Sequence, residues 1–227
     1  SQEIIKNFKE IDKNINFIKL NNKNKFLLEI AKSQSSDRLK RKDFYDWIAP
    51  AFENLKRRLD LISLEKIEAF DISHISGNNV TASCVVFSDK GPEKKEYRSI
   101  NIKTDKNDDY LALAEAISRR ISSLKKRSLP FPSLFLIDGG KGQLNKVKKE
   151  LENKKVETIK LISVSKGENR KEKYDKLHID SPKKEIELAE WKDISRLIQF
   201  MRNESHRFAL TKHKTRRAKT LISSDLD

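Results

Sequence analysis

The sequence has a single cysteine, Cys84, which excludes an intrachain disulfide. Cys84 lies in the apolar run of residues 80–87, where we expect a small buried side chain rather than a catalytic thiol. No other Cys and no His stands near it at metal-ligand spacing, which argues against a structural zinc site. This cysteine usage predicts a protein of a reducing compartment, the cytoplasm.

Long apolar runs are also lacking. No stretch approaches the roughly 20 apolar residues of a membrane span, and the N-terminus has no signal-like apolar segment. The run Gly139-Gly140-Lys141-Gly142 resembles part of a P-loop, but position 136 is Leu, and Lys141 is followed by glycine rather than by Ser or Thr. We therefore expect neither a membrane nor a nucleoside triphosphate as a partner.

Positive charge, in contrast, is abundant. Lys and Arg total 49 against 34 Asp and Glu, and the net charge of +15 is not confined to one tail. A nucleic acid is the leading class of partner for such a chain. A charge run can also be an ordinary solvated helix face, and a lysine-rich composition can reflect genome bias. The motifs below decide between these interpretations.

Apolar periodicity predicts helices in the first part of the chain. Ile4 to Ile18 and Phe26 to Ala31 show helical spacing, and a third stripe runs from Phe44 to Leu59. About sixty residues of helix make a marginal core on their own. We therefore expect residues 1–64 to be a helical lead-in segment packed on the domain that follows.

Residues 65–227 are predicted to form an α/β domain. Strands at residues 67–73, 81–88 and 96–103, separated by short turns, predict an antiparallel meander. A helix after Asp108 and a buried strand at residues 134–137 follow. Further on, the pattern predicts a helix at 142–153, a strand at 158–165 and a last helix at about 193–219. This order predicts a mixed sheet with helices packed on it.

Two aspartates stand against apolar sequence in this domain. Asp71 interrupts a predicted strand, and its carboxylate needs a partner if it is buried. Asp138 ends a buried strand just before Gly139 and Gly140, where open α/β sheets present ligand-binding groups. Turn-capping or pairing with a lysine would be the structural explanation of either residue. A divalent cation held by both would be the functional one.

The last predicted helix has an apolar face and a cationic face, and His206 lies on the latter. A single histidine on a helix is usually an ordinary surface or core residue. Beside two candidate metal-binding aspartates it becomes a possible third ligand or a proton donor to a leaving oxygen. Oxygen-rich sites select Mg²⁺ or Mn²⁺, and such a site on a basic surface has the chemistry of a nuclease. The side chains predicted to contact DNA are Lys141, Gln143, Lys166, Arg202, Arg207, Arg216 and Arg217.

Four motifs, in order, resemble the C-terminal half of the UvrC family, the nuclease subunits of bacterial nucleotide excision repair. They are Phe70-Asp71-Ile72-Ser73-His74, Asp108-Asp109-Tyr110, Leu136 to Leu144 and Arg202 to Ala209. The resemblance covers about residues 65–227, and the four motifs together are very specific. Residues 1–64 resemble the family's helical segment ahead of this domain, with weaker signals.

The resemblance implies an RNase H-like fold and a metal-dependent DNA endonuclease that makes the 5′ incision near a lesion, within the SOS response. It implies Asp71, Asp138 and His206 as a catalytic triad around Mg²⁺ or Mn²⁺, and Asp109 as a further acidic residue linked to incision. The implied partners are damaged double-stranded DNA and UvrB, within the UvrABC system.

The family's N-terminal GIY-YIG nuclease, its UvrB-binding segment and its helix-hairpin-helix pair find no match here, so we expect a fragment of a longer protein. A non-catalytic nucleic-acid-binding or scaffold module on the same fold remains an alternative, as does a nuclease for branched DNA or RNA–DNA hybrids. The sequence leaves open the number of metals and the identity of the general base.

Overall fold

The computed structural model describes residues 45–75, 79–103, 108–167 and 175–224, with backbone alone for residues 74, 75, 79 and 212–224. The chain divides into two compact units, Ser1–Tyr45 and Asp46–Asp227, and every helix and strand described belongs to the second. The first two predicted helices lie outside the described residues. The division into domains at residue 64 stays a prediction.

The described part of the chain holds four α-helices and eight strands. The helices are α1 (Ile48–Arg58), α2 (Asp109–Lys126), α3 (Lys141–Asn153) and α4 (Lys192–Ser224). The strands are β1 (Ile67–Ile75), β2 (Asn79–Ser88), β3 (Gly91–Pro92), β4 (Arg98–Asn101), β5 (Leu134–Asp138), β6 (Lys160–Ser165), β7 (Lys176–Ile179) and β8 (Lys184–Glu187).

All eight strands belong to one mixed sheet. Its order is β3-β2-β1-β5-β6-β7-β8, and β4 also pairs with β2. The central pairs β1–β5 and β5–β6 are parallel, whereas the other pairs are antiparallel. The carboxyl ends of β1, β5 and β6 therefore meet at one edge of the sheet. The predicted mixed sheet with flanking helices is confirmed.

Helices cover both faces of the sheet. Glu68 on β1 bonds Arg120 of α2, whereas Asp71 on the same strand faces His206 of α4. Residues three apart on a strand point to opposite faces, so α2 and α4 lie on opposite sides. Helix α3 packs on α2, and α1 packs on α4, where Phe200 makes edge contacts with Trp47 and Phe87. The sheet is thus buried on both faces.

The face toward α2 contains a buried ion pair. The side chains of Glu68 and Arg120 are 2% and 4% exposed, and the guanidinium donates to both carboxylate oxygens at 2.9 and 2.5 Å. The Cys84 thiol donates to the same carboxylate at 3.3 Å. Cys84 is fully buried, as its apolar surroundings predict, and burial raises the pKa of its thiol well above the ordinary value. These three side chains belong to the core beneath the site.

Most predicted elements are present, with boundaries shifted by a few residues. The sequence did not reveal β3 or the hairpin of β7 and β8, because these strands are only two to four residues long. Within the described residues, no helix has both the length and the hydropathy needed to cross a membrane.

Candidate active site at the carboxyl ends of β1 and β5

The two predicted aspartates lie side by side on adjacent parallel strands. β1 and β5 pair from Ile67 opposite Leu134 to Phe70 opposite Ile137. The next step of this register places Asp71 beside Asp138. Side chains at the same register position of neighbouring strands point to the same face of a sheet. Both carboxylates therefore face α4, where the parallel strands end.

This arrangement is electrostatically unfavourable for Asp71. Burial raises the pKa of the Asp71 carboxyl, and the negative charge of Asp138 raises it further. His206 and a hydrogen bond from the Ser73 hydroxyl, at 3.3 Å, lower it only in part. A buried carboxylate whose pKa is raised by a second carboxylate beside it is a common feature of sites that hold a cation or a proton.

Helix α4 brings His206 to Asp71. The imidazole Nδ1 lies 3.7 Å from Asp71 Oδ2, and the ring is 68% exposed. Contacts of Ser205, the residue before His206, hold the helix on the sheet. The Ser83 hydroxyl lies 2.9 Å from Ser205 Oγ and 3.2 Å from the Ser205 carbonyl oxygen, and Ser83 is the register partner of Asp71 on β2. The predicted triad residues therefore meet at one place.

Arg202 lies deeper than the sequence suggested, with its side chain only 9% exposed. Its Nε donates to Asp138 Oδ1 at 3.1 Å, its Nη2 lies 2.9 Å from the same oxygen, and its Nη1 donates to Asp175 Oδ2 at 2.6 Å. Burial alone would lower the pKa of the guanidinium, but Asp138 and Asp175 outweigh it and raise the pKa. The assignment of Arg202 to the DNA path stays a prediction.

Asp175, a carboxylate only 3% exposed, was not predicted from the sequence. It precedes β7 and lines a cleft of about 310 Å³ together with Asp138, Lys166, Gln199, Arg202, Asn203 and His206. The signal that could have found it is the alternation of Leu177 and Ile179 after it, which marks a strand with an acid at its start.

The turn after β5 is built around glycine. A Cβ on Gly139 would lie 2.1 Å from Gln143 Oε1, which accepts the backbone N–H of Gly140 at 2.8 Å. Gln143, a predicted DNA contact, thus caps the start of α3 through its carbonyl oxygen. Lys141 is exposed and pairs with Glu185 of β8 at 2.5 Å.

The other acidic residues of the motifs lie in helices or at the start of a helix. Asp109 is the first residue of α2, and the side chain of Asp108 caps that helix by accepting the N–H groups of Tyr110 and Leu111. Tyr110 stands against Gly142 at the start of α3, so the first turns of α2 and α3 are neighbours. Glu204 bonds Arg207 and Tyr97. A catalytic role for Asp109 stays a prediction.

The other predicted DNA contacts differ in exposure. Lys166, just past the end of β6, is exposed and lines the cleft. Arg207 is half exposed, and its guanidinium binds Glu204 at 2.6 and 2.7 Å. The side chains of Arg216 and Arg217 lie outside the described residues.

The donor set suits a hard cation in its chemistry. Asp71 and Asp138 offer carboxylate oxygens side by side, which are the ligands that hard divalent cations prefer, and burial and the Asp138 charge raise the pKa of Asp71. Among the described residues, however, no three His, Cys, Asp or Glu groups are arranged as a metal-binding group. The two aspartates fit a cation in their chemistry, whereas His206 is not arranged with them as a third ligand.

Residues 56–210 match the model of the UvrC RNase H endonuclease domain. This match covers more than half of the chain, and it includes Asp71, Asp109, Asp138 and His206. The chain therefore belongs to the UvrC RNase H endonuclease domain family, and the RNase H-like fold that its motifs predicted is confirmed.

Curated relatives agree with this family. The chain is 42% identical over 182 residues to UvrABC system protein C of Legionella pneumophila (strain Paris), covering 79% of this chain and 29% of the relative. It is 42% identical over 181 residues to the protein of the same name from Hydrogenovibrio crunogenus, covering 77% and 29%. The chain thus spans less than a third of the length of these relatives.

Solved structures show weaker similarity. Endonuclease V of Ciona intestinalis, in complex with an inosine-containing DNA, aligns with a TM-score of 0.36 and 17% identity over 46% of this chain and 47% of that one. The Argonaute of A. aeolicus aligns with a TM-score of 0.34 and 17% identity over 51% of this chain and 18% of that one. Similarity this low supports no conclusion about function.

Proposed function

We propose that this chain is a metal-dependent DNA endonuclease domain that makes the 5′ incision near a lesion in nucleotide excision repair. Membership of the UvrC RNase H endonuclease domain family supports this proposal. The observation that carries it is the pair of carboxylates, Asp71 and Asp138, in adjacent register at the ends of parallel strands, with the His206 ring 3.7 Å from Asp71.

Asp71 and Asp138 would hold Mg²⁺ or Mn²⁺. The cation would supply positive charge to the attacking and leaving oxygens of a phosphodiester. His206 turns Nδ1 toward Asp71, so Nε2 is the nitrogen left for a substrate. A protonated ring could then donate its Nε2 proton to the leaving oxygen, while Asp71 stabilises the positive charge of the ring.

Exposed cations would position the DNA backbone without reading its sequence. Lys166 lines the cleft, Lys141 is exposed at the start of α3, and Arg207 follows His206 on α4. The relatives' name, UvrABC system protein C, supports damaged duplex DNA as substrate and UvrB as partner in that system. These assignments, and action in the cytoplasm, are part of the proposal.

Incision of a lesion-containing duplex, in the presence of the other UvrABC proteins, tests the proposal. Asp71→Asn and Asp138→Asn should abolish the 5′ nick, because each removes a carboxylate from the cation site. Asp180→Asn is the matched control, since Asp180 pairs with Lys148 and does not line the cleft. Full incision by Asp71→Asn would refute the assignment. Competition with branched DNA and RNA–DNA hybrids distinguishes the substrate.

One observation favours the alternative of a non-catalytic binding module: no ready-made group of three metal ligands exists in the described residues. Thermal unfolding in the presence of Mn²⁺ distinguishes the nuclease from the non-catalytic binding module. Ligand at 100 times Kd stabilises the folded state by about 2.7 kcal/mol, which is roughly 5–10 °C for a domain of this size. We expect this rise in the parent and not in Asp71→Asn. An equal rise in both would favour the binding module.

A further inference from the structure

Asp175 is tied to three neighbours. Its Oδ1 accepts the backbone N–H of Gly167 at 3.1 Å, and its Oδ2 accepts from Gln199 at 2.9 Å and from Arg202 at 2.6 Å. A buried carboxylate is costly unless it is fully hydrogen-bonded and paired. These bonds from the segment after β6 and from α4 meet that need, and they fix the orientation of the carboxylate.

Arg202 transmits this orientation to the candidate site. A guanidinium is planar, so fixing Nη1 on Asp175 also fixes the directions of Nε and Nη2. Nε donates to Asp138 Oδ1 at 3.1 Å, and Nη2 lies 2.9 Å from the same atom. This geometry differs from the fork in which two nitrogens bind two oxygens of one carboxylate. Among the hydrogen bonds that the structure describes, none from Arg202 reaches Oδ2 of Asp138.

We propose that Asp175 is a positioning residue: it holds Arg202 so that Arg202 binds one oxygen of Asp138 and leaves the other for the cation. The proposal rests on the proposed function, since it concerns the same site. Asp175 makes no contact with the substrate in this account. It acts through Arg202, and Arg202 acts through Asp138.

Loss of the Asp175 charge should change this geometry. A guanidinium released from Asp175 can rotate and bind both oxygens of Asp138, because the bidentate pair is the stronger arrangement. The oxygen that the cation needs is then occupied. Removing a residue that orients a metal ligand typically costs 10- to 100-fold in metal affinity.

Calorimetric titration of Mn²⁺ into the full chain tests this directly. We expect Asp175→Asn to bind Mn²⁺ about 10- to 100-fold more weakly than the parent. Asp180→Asn is the control, since it removes a carboxylate charge that pairs with Lys148 instead, and it should bind like the parent. Parent-like affinity in Asp175→Asn, with the fold intact by circular dichroism, would overturn the proposal.

A second comparison tests the route through Arg202. In an Arg202→Gln background, Asp175→Asn should cause no further loss of Mn²⁺ affinity, because the residue through which it acts is already gone. If the two substitutions each lower the Mn²⁺ affinity and their factors multiply in the double variant, Asp175 acts independently of Arg202.

A third measurement needs no metal and so separates this proposal from the proposed function. The Arg202 Nε–H signal in a ¹⁵N NMR spectrum, assigned by its absence in Arg202→Gln, should exchange slowly in the parent and in Asp180→Asn. It should shift and exchange faster in Asp175→Asn. An unchanged signal there would refute the positioning role even if Mn²⁺ does not bind, whereas failure of the parent to bind Mn²⁺ would refute only the metal site.

Discussion

At the scale of single residues, the position of His206 depends on a buried serine pair. Ser83 on β2 bonds both the hydroxyl and the carbonyl oxygen of Ser205, the residue before His206. Ser83 is also the register partner of Asp71. The pair therefore sets the distance between the imidazole and the carboxylate, although neither serine carries chemistry itself.

Ser83→Ala should lower the free energy of unfolding by about 1–2 kcal/mol, because it leaves the Ser205 hydroxyl buried without its partner. Ser205→Ala should cost less, since the Ser83 hydroxyl can still donate to the Ser205 carbonyl oxygen. Urea denaturation of the two variants measures both values. Equal costs would show that the hydroxyl pair does not control the docking of α4.

Asp71, Asp138 and His206 could be found from the sequence because each stands out against its surroundings. The two aspartates interrupt or end apolar strands, and His206 belongs to a specific motif. Asp175 could not be found in this way, since it lies in a charged stretch and matters only through its contact with Arg202. Arg202 itself has helical spacing typical of a surface cation, and only the packing of α4 on the sheet buries it.

At the scale of elements, α2 is joined to β1 by the buried pair of Glu68 and Arg120. Arg120→Met should destabilise the fold by about 3–5 kcal/mol, because it leaves the Glu68 carboxylate buried and uncompensated. Guanidinium chloride denaturation measures the loss, and Arg119→Met is the control. Arg119 lies one residue away, half exposed, and pairs with Glu115, so its removal should cost no more than about 1 kcal/mol.

The double variant Glu68→Leu/Arg120→Met sharpens this test. Replacing both charges with apolar side chains removes the uncompensated group, so most of the stability should return. A double variant as unstable as Arg120→Met would show that side-chain packing, and not charge, explains the loss.

The hairpin of β7 and β8 contains a buried histidine. The His178 ring lies 2.8 Å from Ser165 Oγ through Nε2 and 3.3 Å from Glu185 through Nδ1, although the latter contact lacks hydrogen-bond geometry. Burial lowers the pKa of His178, and Lys141 and Lys176 lower it further against the opposing effect of Glu185. The folded protein therefore favours the neutral ring.

Stability should consequently fall as the pH falls below 6.5, the ordinary pKa of histidine, because the unfolded chain then binds a proton that the folded chain resists. Glu185, with its pKa lowered to about 2, keeps its charge throughout this range. Urea denaturation between about pH 7 and pH 5 should show a smaller fall in His178→Gln than in the parent. Identical slopes would contradict this explanation.

The same hairpin shows the limit of prediction for elements. Long periodic segments such as α2 and the apolar strands β1, β2 and β5 follow from the sequence, because their burial demands a consistent pattern. A four-residue strand at the side of a sheet, such as β8, buries only Ile186 and carries three charges. The pairing of β8 is decided by contacts between residues that are far apart in the sequence.

At the scale of the whole molecule, the net charge of +15 should govern DNA affinity. Binding to duplex DNA should weaken strongly with salt, because bound phosphates release counterions. Lys166→Glu at the cleft should weaken binding and reduce the salt slope by about 1, whereas Lys155→Glu, past the other end of α3, should change neither. Fluorescence anisotropy over a salt series measures both. Equal effects would mean that DNA binds without regard to the cleft.

The central claim is that Asp71 and Asp138, brought together by the register of β1 and β5, hold one divalent cation beside His206. Anomalous diffraction from a crystal grown with Mn²⁺ tests it most directly. We predict a manganese peak within about 2.0–2.6 Å of oxygens from both carboxylates. A crystal saturated with Mn²⁺ that shows no peak between these two side chains would contradict the account.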